Sequence, residues 1–489
     1  MEFAKAFMDS QHFTSELILL LWTVSLASLL VLLAVKIQNR GRGKNLPPGK
    51  LGLPLIGETL QFMRAHRANK SKEWVQSKVS KYGHVFKTSL MGRPTIVLTG
   101  QAGNRFIFNN DYKIITNKQT SSVSRLLGPK NLLDLPVDDH KRMRGAIMSF
   151  MKPEVLQKFL GIMESVILQH FAEYWQGKEN ITVAPLMKQL TFHVACDLLF
   201  CLKDENERKV LGNDISNLIK GVWSIPLNLP GTNFHGSLKA RSRLYKRLSV
   251  FLEARRRELQ QGKASPSQDL ISCLLSMEDD KNMPLTEDEI IDNMILIMLA
   301  GHDTTTVLFT HLVRMLALNP SVYHSILQEQ MEVLSGKQPN EPLQWKDIQK
   351  MKYTWKVAQE ILRFIPPVVG GFRRAIQDVE YGGYTIPKGW QLFWTTGITH
   401  WDEEAFKEPY NFDPTHFDDQ LPPYTFIPFG AGPRICPGYD FAKIETIIFL
   451  HHLVTKYKWS LIYLDEKIIC DPMPTPSKDL PIKLHAKGN

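Results

Sequence analysis

Residues Phe429–Gly438 read Phe-Gly-Ala-Gly-Pro-Arg-Ile-Cys-Pro-Gly, and an apolar run with helical spacing follows from Phe441 to Leu453. The cysteine thus precedes a helix N-terminus, whose dipole favours a thiolate, and the glycines let backbone N–H groups approach its sulfur. Phe429 can shield the sulfur from water, and Arg434 can pair with an anionic group. The stretch suits a metal-ligating thiolate, while a tight Gly/Pro turn with an inert cysteine is the alternative.

A second chemical pattern, Ala-Gly-His-Asp-Thr-Thr at Ala300–Thr305, lies inside a proline-free stretch from Thr286 to Asn319. Glycine and β-branched threonine are poor residues for a helix interior, so they predict a local loosening of a long buried helix. Asp303 beside Thr304 suits proton delivery into a dry pocket. The alternative is structural, with the threonine hydroxyls bonded back to the preceding turn.

Two further pairs carry charge at helical spacing. Glu360 and Arg363 are three residues apart, and on an exposed helix such a pair contributes only tenths of a kcal/mol. His140 and Arg144 are one helical turn apart, and Arg373 follows a Pro-Pro bend. On spacing alone, these last three are ordinary surface basic residues.

The overall composition excludes several protein classes. The formal net charge is +10, and 43% of the 489 residues are hydrophobic, which fits a large buried core. Basic residues are dispersed without the runs typical of a nucleic-acid binder, so no nucleic-acid partner is expected. Five cysteines are too few and too scattered for a disulfide scaffold.

The N-terminal region predicts a membrane anchor. Residues 17–35 carry no charge, and as a helix they reach most of the way across a hydrocarbon core of about 30 Å. Basic residues follow the segment and acidic ones precede it, which places residues 1–16 in the lumen and the bulk of the protein in the cytosol. Residues 36–57 form a basic and proline-rich hinge. A cleaved signal peptide is disfavoured, since no small-x-small site follows.

The remainder, residues 58–489, is predicted as one domain that is mainly α with small β-sheets. Val85–Leu90 and Thr95–Thr99 flank a turn and predict a hairpin, as do Val379–Tyr381 and Tyr384–Ile386 around two glycines. The pattern from about residue 140 to 318 is mostly helical, with breaks near 226–231 and 263–266.

The motif Phe429–Gly438 matches in full the haem-binding signature of the cytochrome P-450 superfamily, which the chain resembles along nearly its whole length. The resemblance implies the P-450 fold, a b-type haem (haem b), and Cys436 as the axial thiolate of its iron. It also places Phe429 at the haem, with Arg434, Arg144, Arg373 and His140 beside the propionates; His140 stands where the family usually has Trp. Asp303 and Thr304 occupy the acid and alcohol positions of the family's oxygen-activation motif.

By the same resemblance, Glu360 and Arg363 form a buried structural lock. Its usual third member is an arginine, but this chain has His416 in the sequence Pro-Thr-His-Phe. Imidazole cannot make the bidentate fork of arginine, so we expect a somewhat weakened lock.

The implied function is a membrane-anchored monooxygenase that uses O2 and electrons delivered from NADPH by NADPH-cytochrome P-450 reductase. The resemblance places it in the endoplasmic reticulum membrane as a single-pass protein in contact with lipid. Several stretches resemble plant terpenoid hydroxylases of the triterpene oxidase and taxane hydroxylase type, which implies an apolar polycyclic terpenoid substrate: Leu46–Gly57, Ser224–Thr232, Met351–Trp355, Tyr384–Trp390 and Asp471–Pro474. A steroid or phytohormone hydroxylase, a reductase-independent haem-thiolate isomerase and a haem-binding sensor are the alternatives.

Overall fold

The computed structural model describes residues 18, 21–25, 28–29, 32, 43–53, 56–222, 224, 226–278 and 283–486. The predicted lumenal segment, residues 1–16, lies outside the described residues, as do most of the predicted anchor, 17–35, and the first part of the hinge, 36–42. Residues 43–53 and 56–57 of the hinge and nearly all of the predicted domain are described.

Helices dominate the described chain, as expected. In chain order they are α1 Thr59–Arg67, α2 Ser71–Tyr82, α3 Gly100–Asn109, α4 Ser121–Leu127, α5 Val137–Phe150, α6 Pro153–Leu156, α7 Leu160–Tyr174, α8 Val183–Phe200, α9 Glu205–Val222, α10 Asn233–Gln260, α11 Leu270–Leu275, α12 Glu287–Leu318, α13 Pro320–Ser335, α14 Trp345–Lys350, α15 Lys352–Phe364, α16 Thr396–Thr399 and α17 Tyr439–Lys456. Short 3₁₀ turns cover Gln157–Phe159, Pro414–Phe417 and Gly432–Arg434.

The strands are short and form small sheets. They are β1 Val85–Leu90, β2 Arg93–Leu98, β3 Ile115–Thr116, β4 Asn180–Thr182, β5 Gly370–Ala375, β6 Val379–Tyr381, β7 Tyr384–Ile386, β8 Gln391–Thr395, β9 Tyr457–Leu461, β10 Ile468–Cys470, β11 Pro474–Pro476 and β12 Pro481–Ala486. One sheet has the order β1-β2-β8-β5-β3, a second β4-β12-β9, and β6-β7 and β10-β11 are hairpins. The mainly helical class with small sheets is confirmed.

Both predicted hairpins form. In β1–β2, Leu90 pairs with Arg93 around a two-residue turn, so β2 begins two residues earlier than the sequence suggested. Met91 and Gly92 both have positive φ, 51° and 73°, which is the geometry of the tight turns that match strand twist. Pro94 is tolerated in β2 because the parallel pairing with β8 starts only at Thr95.

The long helix α12 organises the main core. Its start is set by a capping box in which Thr286 and Glu289 satisfy each other's backbone N–H groups. It is also the one helix of the described chain that is long and apolar enough to cross a bilayer, but most of that apolar stretch is buried inside the protein. It packs against α8, α15 and α10, and runs through the larger of the hydrophobic clusters.

Candidate active site

The cysteine loop is shaped by glycine and ends at the start of α17. Gly430 and Gly432 have φ of +71° and +70°, and a Cβ on Gly432 would lie 2.6 Å from the carbonyl oxygen of Phe108. The backbone N–H of Cys436 donates to the Phe429 carbonyl at 2.9 Å, which closes the loop. This packing leaves no room for a side chain at Gly432, so the glycine is required for the close approach.

The environment of the Cys436 thiol pushes its pKa in both directions. Burial raises the pKa, while a hydrogen bond from the backbone N–H of Gly438 and the charge of Arg144 oppose the rise. The Phe429 ring packs edge-on against Tyr439, with centroids 4.9 Å apart, beside the loop. The thiol thus faces a hydrogen-bond donor and a cation, which is the environment that a thiolate ligand needs.

The other cysteines lack these partners. Cys196 is fully buried in α8, and burial raises its pKa to about 12. The Cys273 sulfur lies 3.2 Å from the Ser149 hydroxyl, and the Cys470 thiol donates to Asn69 at 3.4 Å. They are free thiols that fill space in the fold.

Three guanidinium groups predicted from distant parts of the chain converge beside the cysteine loop. Arg434 Nε lies 3.3 Å from Oδ1 of Asp111, and Arg373 Nε lies 2.8 Å from Oδ2 of the same carboxylate. Arg144 donates from Nη1 to the Ile435 carbonyl at 2.6 Å. We call Arg144, Arg373, Arg434 and Asp111 the cation cluster.

His140 lies at the edge of the cation cluster. Its Nδ1 is in hydrogen-bond contact with the Tyr112 hydroxyl, and the Arg434 guanidinium lies 4.9 Å from the centre of the Tyr112 ring. Burial, followed by the charges of Arg434, Arg144 and Arg373, lowers the pKa of His140 to about 3. The imidazole is therefore neutral at physiological pH and can offer a hydrogen-bond donor but no charge.

The cation cluster fits a dianionic group such as haem, whose two propionates need cationic partners. Nη1 and Nη2 of Arg434 are buried and have no hydrogen-bond partner among the described residues. Arg373 and Arg434 share the single carboxylate of Asp111, and Arg144 adds a third positive charge, so positive charge is in excess. Buried donors of this kind are normally satisfied, and two carboxylates at this place would satisfy them.

Asp111 and Tyr112 were not found from the sequence. They lie in the turn between α3 and β3, where Tyr112 has a φ of 72°. A left-handed backbone at a tyrosine leaves no mark in the residue pattern, and an isolated Asp-Tyr pair resembles any loop. Their role follows only from the tertiary approach of β5 and the cysteine loop.

The predicted loosening of α12 takes the form of extra hydrogen bonds within a continuous helix. Thr304 donates from Oγ1 to the Ala300 carbonyl at 2.6 Å, and Thr306 donates to the His302 carbonyl at 2.9 Å. The structural alternative for these hydroxyls is therefore realised in the described conformation. It does not remove the acid–alcohol pair, because Asp303 precedes Thr304 directly.

Asp303 is a buried carboxylate with cationic neighbours. Burial alone raises its pKa, but contact with His302 and the charges of His302 and Lys188 more than compensate, so the pKa lies below its usual value. The Lys188 ammonium, on α8, lies 3.8 Å from Oδ1 of Asp303. Asp303 is consequently ionised at neutral pH.

The predicted lock is complete and buried. All five N–H groups of Arg363 reach an acceptor: two bonds of 2.7 Å to the oxygens of Glu360, and bonds to the carbonyls of His400, Pro409 and Asn411. His416 takes the third position, with Nδ1 lying 3.1 Å from Oε1 of Glu360.

The other ring nitrogen of His416 faces a second acceptor. Nε2 lies 2.6 Å from the carbonyl oxygen of Lys407, while Nδ1 faces the Glu360 carboxylate. Making both hydrogen bonds requires protons on both ring nitrogens, so the geometry calls for an imidazolium. A charged histidine thus stands where the family usually has arginine.

Comparison with known proteins agrees with this geometry. The family model "Cytochrome P450" matches residues 47–484. Among curated proteins, the chain is 40% identical to a beta-amyrin 28-monooxygenase from Vitis vinifera, over 96% of this chain and 98% of the relative. It is 41% identical to a taxane 13-alpha-hydroxylase from Taxus cuspidata, over 92% and 94% respectively.

A solved structure shows the same fold. The retinoic acid-bound cyanobacterial CYP120A1 superposes with a TM-score of 0.82 at 30% sequence identity, covering 91% of this chain and 100% of that one. The fold, the haem cofactor and the monooxygenase class predicted from the cysteine motif are therefore confirmed. The chain belongs to the cytochrome P450 family and is a haem-dependent monooxygenase.

Proposed function

We propose that this monooxygenase is a membrane-anchored enzyme that hydroxylates a polycyclic plant terpenoid, triterpenoid or taxane-like diterpenoid. The observation that carries the proposal is the near full-length identity, 40% and 41%, to enzymes named for two different terpenoid skeletons. Two such skeletons share a rigid, apolar, fused-ring shape. The proposed substrate class is therefore the chemistry common to both relatives.

In this proposal Cys436 would supply the thiolate that ligates the haem iron, and the cation cluster would bind the propionates. Haem supplies the activation of O2 when bound. The chain contributes the rest: Phe429 excludes water from the sulfur, the Gly438 N–H stabilises the thiolate, and neutral His140 donates a hydrogen bond. Arg434 is the strongest candidate for a propionate partner, since both its Nη groups are unsatisfied by the described chain.

Asp303 and Thr304 are proposed to deliver protons. Asp303 is ionised at neutral pH, so it takes up protons from the α8 side, where Lys188 lies, before passing them on. The Thr304 hydroxyl is engaged with the Ala300 carbonyl. It can donate toward the pocket only by rotating away from that carbonyl, which makes its hydroxyl a mobile relay group.

Electrons are proposed to come from NADPH through a membrane-bound cytochrome P-450 reductase. The charge pattern around residues 17–35 supports a single-pass anchor in the endoplasmic reticulum, with residues 1–16 lumenal. Residues 36–57 are then the hinge in contact with lipid, and residues 58–489 the cytosolic catalytic domain. Protease protection of tagged termini in microsomes tests this orientation.

The full chain should be co-expressed with a plant reductase and given panels of triterpenes and taxane-type diterpenes, with products identified by mass spectrometry. We expect NADPH-dependent gain of one oxygen atom on at least one terpenoid. Cys436→Ser should abolish the product and the thiolate-type carbon monoxide spectrum, while the matched control Cys470→Ser, at a buried cysteine whose pKa is raised by burial alone, retains both. Turnover of a steroid and of no terpenoid would contradict the substrate class; turnover without NADPH would indicate an isomerase.

A further inference from the structure

The histidine inside the α12 motif has no role in the function proposed so far. His302 is 3% exposed, and its ring packs edge-on against Phe192 of α8, with centroids 5.4 Å apart. Its Nδ1 lies 2.9 Å from Oδ1 of Asp303, the distance of an ion pair without the alignment of a hydrogen bond. A nitrogen lone pair and a carboxylate oxygen repel each other at this separation, so Nδ1 carries a proton.

The two oxygens of Asp303 have different surroundings. Oδ1 faces His302 from its own helix and the Lys188 ammonium from α8, at 2.9 Å and 3.8 Å. Oδ2 is buried and has no hydrogen-bond partner within the described chain. One oxygen is therefore held by positive groups, and the other is left to interact with a proton carrier.

Packing fixes the position of His302. Its backbone carbonyl accepts a hydrogen bond from the Thr191 hydroxyl of α8 at 3.1 Å and another from the Thr306 hydroxyl at 2.9 Å. The two hydroxyl oxygens lie 2.9 Å apart, so either proton can turn from the carbonyl to the neighbouring hydroxyl. This hydroxyl network ties α12 to α8 at the motif, and the imidazole is enclosed between Phe192 and Asp303.

We propose that His302 is a positioning residue for proton delivery: it holds Oδ1 of Asp303, so that Oδ2 is the oxygen that exchanges protons with Thr304 or with water in the pocket. The inference rests on the proposed role of Asp303 and Thr304. Without His302, the carboxylate is free to turn toward Lys188, and Lys188 alone opposes the effect of burial on the pKa of Asp303.

Three substitutions in the full-length holoenzyme test the proposal. His302→Leu removes the donor. His302→Asn places an amide N–H where Nδ1 lies, and His302→Gln places it near the position of Nε2 instead. The ionisation of Asp303 is followed by infrared difference spectroscopy against pH, with Asp303→Asn identifying the band, and product formed per NADPH is measured over the same pH range.

We expect His302→Leu to raise the titration midpoint of Asp303 by about one pH unit or more, because burial favours the protonated acid. The pH at which product per NADPH falls on the acid side should shift upward by the same amount. More NADPH should then be lost to oxidation that gives no product. His302→Asn should restore both readouts and His302→Gln should not. His311→Leu is the matched control, since His311 is buried on the same helix but contacts the Pro474 carbonyl at 3.0 Å; it should lower stability and leave the titration unchanged.

Identical titrations for wild type, His302→Leu and His302→Asn would overturn the inference, even if stability fell. If His302→Leu fails to fold, the comparison of His302→Asn with His302→Gln decides the question. Equal Asp303 titration midpoints in these two variants would overturn the inference. The infrared titration needs no substrate. It therefore still decides the role of His302 if the wild type oxidises no terpenoid and the proposed substrate class fails.

Discussion

Two buried ionic networks of this protein differ in how completely their hydrogen-bonding groups are satisfied. In the lock of Glu360, Arg363 and His416, every guanidinium N–H of Arg363 has an acceptor within the chain. In the cation cluster, by contrast, two buried nitrogens of Arg434 have no partner among the described residues. Buried charges are costly unless paired, so a saturated network maintains structure, whereas an unsaturated one marks the place of a ligand.

Charge and burial alone do not explain why the lock is fully hydrogen-bonded and the cation cluster is not. Arg363 and Arg373 are both buried arginines that contact a buried carboxylate, Glu360 and Asp111 respectively. What separates them is the neighbourhood: Arg363 is surrounded by backbone carbonyls, while Arg373 lies beside a second cation, Arg434, whose charge contributes to lowering the pKa of Arg373. The count of donors against acceptors is therefore more informative about function than the presence of an ion pair.

Breaking the lock should have the largest effect. Arg363→Gln leaves the buried Glu360 carboxylate with only His416 and the backbone N–H of Asp413 as partners. We expect a loss of about 3–5 kcal/mol in the free energy of unfolding, enough to prevent accumulation of folded holoenzyme. Thermal unfolding and the haem content of the detergent-solubilised full chain measure it.

The chain offers a control at the same i,i+3 spacing. Glu253 and Arg256 form an ion pair of 2.9 Å on the outer face of α10, with side chains 47% and 39% exposed. Arg256→Gln should cost no more than about 0.5 kcal/mol. Equal losses for the two arginines would contradict the view that satisfaction and burial distinguish the lock.

Arg434→Gln tests whether the unsatisfied donors of the cation cluster bind haem. The fold should persist, because the Nη groups of Arg434 bond to nothing in the described chain, but haem should dissociate about tenfold to hundredfold faster, since a charge-assisted pair contributes about 1.5–3 kcal/mol. Haem transfer to apomyoglobin gives the rate, and unfolding of the apoprotein gives the stability. Loss of apoprotein stability at unchanged haem release would reverse the assignment.

Asp111→Asn should destabilise the apoprotein more than the holoenzyme. Removing the carboxylate leaves Arg373 and Arg434 repelling each other, so we expect the apoprotein to lose about 1–2 kcal/mol of stability. Bound propionates supply the missing negative charge, and the holoenzyme should lose less. The measurement is the difference in melting temperature between apo and holo forms, which should widen in the variant. An equal loss in both forms would show that Asp111 is purely structural.

How much of this was readable from the sequence depends on the kind of interaction. The Phe429–Gly438 loop, the Asp303–Thr304 pair, and Glu360 with Arg363 are local patterns that the sequence shows directly. The structure brings Glu360, Arg363 and His416 into contact, while the roles of Asp303 and Thr304 in proton delivery stay predictions. Asp111 and the contact of His302 with Asp303 were missed because they depend on side-chain directions set by packing between elements. The expectation that His416 weakens the lock stays a prediction, because hydrogen-bond distances do not give the free energy that the lock contributes.

His416→Arg measures how much the third member contributes to the lock. We expect this substitution to change the free energy of unfolding the least. The imidazole reaches both Glu360 and the Lys407 carbonyl only when doubly protonated, whereas a guanidinium stays charged and offers more donors. The variant should therefore gain up to about 1 kcal/mol in unfolding free energy. His416 lies in a pocket of about 460 Å³ lined by Glu404, Glu408 and Asp419, so the longer side chain has room and acidic neighbours. A lower melting temperature or faster haem loss in His416→Arg would mean that histidine is the better third member in this chain, and that the lock has been repacked around it.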